Sequence, residues 1–121
     1  MTINEIITEA HNNAIAHGWH DGVHNPVELL CLIHSEVSEV LEEIRNSEYI
    51  VVNQMKLVSN ETMTQNRTIN GKPEGVPSEL ADIVIRVADM CGLYGIDLEA
   101  AIIEKMEYNK HRPYRHGGKA L

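Results

Sequence analysis

Two apolar stripes at helical spacing constrain this chain most. In 25–45, Leu29, Leu30, Ile33, Val37, Val40, Leu41 and Ile44 fall on one face of a helix. In 77–94, Leu80, Ile83, Val84, Val87, Ala88 and Cys91 do the same. Phenylalanine is absent and aromatics are 4% of the residues, so the core is expected to be aliphatic, which favours helix packed on helix. A length of 121 residues gives room for one domain and none for a separate cofactor-binding domain.

Two shorter helices flank the long pair. The first covers about 2–17: Thr2-Ile3-Asn4-Glu5 has the capping-box pattern, and Ile3, Ile6, Ile7, Ala10 and Ala14 keep helical spacing. Gly18 suits its stop. Asn25 and Pro26 suit the start of the second helix, and Gly95 the end of the third. Asp97 suits the cap of a fourth, whose apolar side is Leu98, Ala101, Ile102 and Met106 and which Pro113 ends. The expected fold is all-α and four-helix bundle-like, a single domain over 1–121. Residues 47–76 form an insertion between the second and third helices. Within it, Tyr49 to Val52 reads equally as a helix extension or a strand. Residues 59–75, rich in Asn, Thr, Gly and Pro, read as a long polar loop that is mobile. The wide stripes predict a homo-oligomer, tetramer ahead of dimer.

Charge and composition exclude several classes. The net charge is −8, which argues against binding nucleic acid by phosphate neutralisation. The longest apolar run, Leu29 to Ile33, is far short of the ~20 residues of a membrane span. The first residues carry acids and no basic stretch, so no secretory signal is expected. Cys31 and Cys91 sit in helical patterns and read as reduced core thiols, giving an expected cytoplasmic location.

The chemistry lies in four carboxylates. Glu36 and Glu39 are three residues apart on the second helix, and so are Glu79 and Asp82 on the third. An i,i+3 pair shares one helix face, and both pairs border the apolar stripe. Facing each other, they repel unless cations neutralise them, and oxygen ligands without thiols suit Mg²⁺, with Mn²⁺ as substitute. Taken singly, such pairs are also common on solvated faces. Glu42 and Glu43 read as surface acids, with Glu43 placed to support the site. Lys105, Asn109 and Arg112 share a face of the fourth helix, and Lys119 continues a positive tail suited to phosphate. Trp19, in a polar connector, could stack on a nucleobase or anchor the bundle end. His17, His20 and His24 read as a solvated turn, because Gly18 and Gly22 break the helix their spacing would need. His34 adjoins the acids and could orient a ligand or serve packing.

Taken together, these residues resemble the MazG-like all-α nucleoside triphosphate pyrophosphohydrolases, relatives of the dimeric dUTPases. The likeness rests on Glu36-Val-Ser-Glu39, Glu79-Leu-Ala-Asp82, and Lys105-Met-Glu-Tyr-Asn109 followed by Arg112. The stretch from Lys72 to Asp82 and the tail His116-Gly-Gly-Lys119 are similar to those of small single-domain members. Where the family often has a further acid before the first pair, this chain has Ser35. The resemblance implies hydrolysis of an NTP or dNTP to the monophosphate and pyrophosphate, with a house-cleaning role. It implies Mg²⁺ on Glu36, Glu39, Glu79 and Asp82, and phosphate or sugar contacts from Lys105, Asn109 and Arg112. Glu39 is the candidate base for the attacking water, although spacing does not separate base from ligand.

Two other readings compete. A di-iron or di-manganese bundle pairs its acid helices with Glu-x-x-His, and this sequence contains no Glu-x-x-His. A non-catalytic oligomerisation or regulatory module would carry the same acids as a solvated face and bind no nucleotide.

Overall fold

The computed structural model describes residues 1–22 and 24–120. The chain is mostly helical. Helices α1 (Ile3–Ala16) and α2 (Pro26–Arg45) are followed by strands β1 (Tyr49–Val52) and β2 (Met55–Val58). A short helix α3 (Asn60–Thr64) and strands β3 (Arg67–Ile69) and β4 (Lys72–Glu74) lead into α4 (Val76–Tyr94) and α5 (Leu98–Lys110). The last element is a helical turn, α6 (Arg115–Gly118), in which Arg115 to Gly118 all have positive φ.

The helix ends follow from local chemistry. Thr2 Oγ1 accepts from Glu5 N–H at 3.1 Å while Glu5 Oε2 accepts from Thr2 N–H at 2.6 Å, which closes the expected capping box. Asn25 Oδ1 accepts from Glu28 N–H and Asp97 Oδ1 from Ala100 N–H, as the sequence predicts. Gly95 ends α4 in the left-handed conformation. The N-terminus of α4 is capped from outside: Asn66 Oδ1 accepts the Ser78 N–H at 3.0 Å.

Helix α4 packs against both α1 and α2, so it is the central element. Among the described residues the buried apolar ones are Ala14, Leu29, Val76, Ala88 and Cys91. That core is smaller than the stripes predict. Leu30, Val37 and Leu41 of α2 and Leu80 and Val84 of α4 are all about half exposed. Cys31 is exposed rather than a core thiol; both cysteines are free.

Of the two alternatives for Tyr49 to Val52 the structure shows the strand, and the expectation of a mobile loop over 59–75 is corrected. Residues 49–58 and 67–74 form two antiparallel hairpins, paired Tyr49↔Val58 through Val52↔Met55 and Arg67↔Glu74 through Ile69↔Lys72. Each turns on two residues with positive φ, Asn53-Gln54 and Asn70-Gly71, the conformation of a tight turn that matches strand twist. No described helix is long and apolar enough to cross a membrane.

Candidate functional site

The i,i+3 spacing on α2 and α4, and the packing of these two helices, bring the predicted acids together. Carboxylate oxygens of Glu36, Glu39 and Glu79 lie within 4.8 Å of one another. Asp82, one turn further along α4, lines the same cleft as Glu36 and Glu39. Glu36 and Glu79 are buried although both are acidic. Burying a carboxylate is costly unless it is paired, so the pairing of each decides what the site needs.

Glu36 has a partner: Arg86 Nε donates to its Oε1 at 2.5 Å. Glu79 lacks one on its inner side, where Oε2 is buried without a hydrogen-bond partner. Desolvation, a hydrogen bond shared with Glu39 and the charges of Glu39, Asp82 and Glu74 push the Glu79 carboxyl up to about 7. Desolvation and the charges of Glu36 and Glu39 push Asp82 up as well, against Lys72 and Arg86. Glu79, raised to about 7 and with one buried oxygen unpartnered, is the acid of this group whose charge either a proton or a cation would compensate.

The insertion contributes to this rim. Hairpin β3–β4 sets Glu74 beside Glu43 and Glu79, again with oxygens within 4.8 Å. Arg67 forks onto Glu43 at 3.1 and 3.2 Å, and Lys72 Nζ pairs with Glu74 at 3.0 Å. Glu43 is therefore part of the acid region rather than a free surface acid.

Beyond the acids, α1, α2 and α4 enclose a cleft of about 330 Å³. Its walls include Trp19, Leu29, Leu32 and Ile85, and its polar groups include Asn13, His20, His24, Arg86 and Asp89. Trp19 is largely exposed and carries the Arg86 guanidinium 5.9 Å from its ring centre, so it does not anchor the bundle end. The expected solvated histidine turn holds for His17, which is exposed, and is corrected for the other two. His20 is mostly buried and bonds Asp89, while His24 Nε2 lies 2.7 Å from the Trp19 carbonyl oxygen. His34 is exposed and does not line the cleft.

The predicted basic set lies elsewhere. Lys105, Asn109 and Arg112 do not line the cleft, and neither does Lys119. Lys105 and Arg112 sit against the Tyr108 ring, at 5.2 and 5.8 Å from its centre. Among the described residues the cations that pair with these acids are Arg86, Lys72 and Arg67. Sequence reasoning passed over Arg86 and Asp89, although they continue the face of Glu79 and Asp82 at helical spacing. It also missed His11, which reaches Asp89 only through the packing of α1 on α4.

Comparisons with family models, with curated proteins and with solved structures return no match to this chain.

Proposed function

We propose that this chain is a MazG-type, Mg²⁺-dependent nucleoside triphosphate pyrophosphohydrolase, converting an NTP or dNTP to the monophosphate and pyrophosphate. The observation that carries the reading is the buried, unpartnered Glu79 Oε2 inside a ring of carboxylates supplied by two helices. This donor set fits Mg²⁺ or Mn²⁺: every ligand is oxygen, and the open side leaves room for waters and phosphate oxygens. Glu36, Glu39, Glu79 and Asp82 would hold the ion. When bound, it supplies positive charge to the α-phosphate and lowers the pKa of the attacking water.

The chain's own groups have distinct roles in this reading. Glu39, exposed at the rim with a carboxylate oxygen within 4.8 Å of that of Glu79, accepts the proton of the water. Arg86 and Lys72 are placed for phosphate oxygens, with the guanidinium fork the better match. Trp19 offers a ring in the wall of the cleft, and about 330 Å³ is enough for a base and part of a sugar. Lys105, Asn109, Arg112 and Lys119 would contact substrate only if assembly brings them to a cleft. The substrate choice and a role in cleansing nucleotide pools rest on the family resemblance alone.

The reading includes a homo-oligomer. A folded monomer of 13.6 kDa exposes about 6,600 Å² by size scaling, whereas this chain exposes 9307 Å². The excess, about 2,700 Å² on one chain, would correspond to about 5,400 Å² in total if a second copy covered all of it, the upper end of obligate interfaces. The same excess fits the second reading, a non-catalytic oligomerisation module, equally well.

The deciding experiment incubates a panel of NTPs and dNTPs with and without Mg²⁺ and resolves all phosphorus products. Mg²⁺-dependent monophosphate and pyrophosphate are expected. Glu79→Ala and Asp82→Ala should each lower kcat at least ~100-fold while far-UV circular dichroism is kept. Diphosphate with phosphate would place attack at the γ-phosphate, and no product from any nucleotide would leave the oligomerisation module.

A further inference from the structure

A second cluster of metal-ligating side chains lies apart from the four acids, where α1, the 17–25 connector and α4 meet. His11 Nδ1 stands 2.8 Å from Asp89 Oδ1. His20 Nε2 stands 2.8 Å from the same oxygen and 3.0 Å from Oδ2. The three ligand atoms lie within 4.8 Å of one another. We propose that His11, His20 and Asp89 form a site for a borderline divalent transition ion such as Zn²⁺ or Co²⁺, distinct from the carboxylate cluster.

Donor chemistry separates the two sites. All-oxygen donors suit Mg²⁺, whereas two imidazoles with one carboxylate suit Zn²⁺, Co²⁺, Ni²⁺ or Fe²⁺. The geometry is close to what such an ion needs. A tetrahedron on bonds of 2.0–2.1 Å has edges of about 3.3 Å, so the nitrogens need withdraw from the carboxylate by only about half an ångström.

The backbone is shaped to permit the meeting. A Cβ on Gly92 would lie 2.5 Å from His11 Cβ and 2.6 Å from its Cγ. Only glycine, three residues after Asp89 on α4, lets α1 come close enough for this ring to reach the carboxylate. Gly18, with φ +80°, turns the chain off α1 so that His20 returns to the same point. The three side chains are 20%, 12% and 18% exposed, so they are mostly enclosed. His20 and Asp89 also line the cleft, which leaves an open coordination position for water or a ligand atom.

Without an ion, an imidazole that faces the carboxylate donates its N–H to it. To bind the ion, a neutral His11 must carry its proton on Nε2 and a neutral His20 on Nδ1, freeing the facing lone pairs. The bound ion would pin α1 and the connector to α4, in a chain with few buried apolar side chains of its own.

The test uses the untagged full chain, titrated with Co²⁺ in excess Mg²⁺ and followed by visible absorption. One equivalent should give d–d bands that Mg²⁺ does not displace and that Glu79→Gln retains. His20→Ala and Asp89→Asn should each weaken Co²⁺ at least ~10-fold. Zn²⁺ added to the wild-type chain should shift ¹⁵N signals of His11 Nδ1 and His20 Nε2, a readout that needs no variant to fold. Absence of the bands, their displacement by Mg²⁺ or unmoved ring nitrogens would each overturn the assignment. Bands lost in Glu79→Gln but kept in His20→Ala would move the ion to the carboxylates and overturn it equally.

Discussion

Glu79 is held among other carboxylates at the start of α4, and its raised pKa gives stability a pH dependence of known sign. The folded-state value is about 7 against an ordinary 4.5. Below 4.5 the side chain is protonated whether the chain is folded or not, and its contribution is fully present. Between 4.5 and 7 the unfolded chain loses that proton while the folded chain keeps it, so stability is lost as pH rises through about 7. Asp82 shifts in the same direction. The metal-free protein should therefore show a Tm that declines across this window. Glu79→Gln should flatten the decline, and Mg²⁺ should raise the wild-type Tm most above pH 7. A wild-type Tm that is level from pH 5 to 8 would contradict the buried-acid account. Gly92 sets a second constraint at this scale. Gly92→Ala forces a methyl carbon into His11, and should cost about 1–3 kcal/mol in urea denaturation, because neither helix backbone can retreat freely.

At the level of elements, the long helices and their caps were legible because helix information is local. Thr2, Asn25, Asp97 and Gly95 act within a turn of where they stand, and each was readable. The acid pairs were legible for the same reason. The hairpins were legible only as the strand alternative for Tyr49 to Val52, because β1 and β3 carry no alternation of buried and exposed residues that a period could detect. The one local signal was Asn70-Gly71, the dipeptide most suited to a two-residue turn, and it stands between the two short strands. Its counterpart Asn53-Gln54 is weaker, since Gln54 holds φ +66° with a side chain attached. Gln54→Gly should relieve this and stabilise the β1–β2 hairpin by about 1 kcal/mol, read as slower amide exchange in Tyr49–Val52 and Met55–Val58. The His11–Asp89 pairing was out of reach for the opposite reason. It joins residues 78 positions apart, and only the packing of α1 on α4 creates it.

For the whole molecule, the apolar stripes predicted more core than one chain contains. Leu41 and Val84 belong to those stripes and stand 48% and 55% exposed. Both should be covered in an assembly. Light scattering of the purified protein should then give a multiple of 13.6 kDa, and Leu41→Asp or Val84→Asp should lower it. A wild-type mass of one chain would remove the oligomer from the proposed function. Among the described residues only five apolar ones are buried, which carries a consequence for abundance if the proposed oligomer forms. A chain that completed its interior only by meeting another copy would have no fixed melting point of its own. Its folded fraction would follow its concentration, and dilution would act on it as a denaturant does. Expression level would then set how much of this protein is folded, and a scarce chain would be exposed to proteolysis before any substrate reached it.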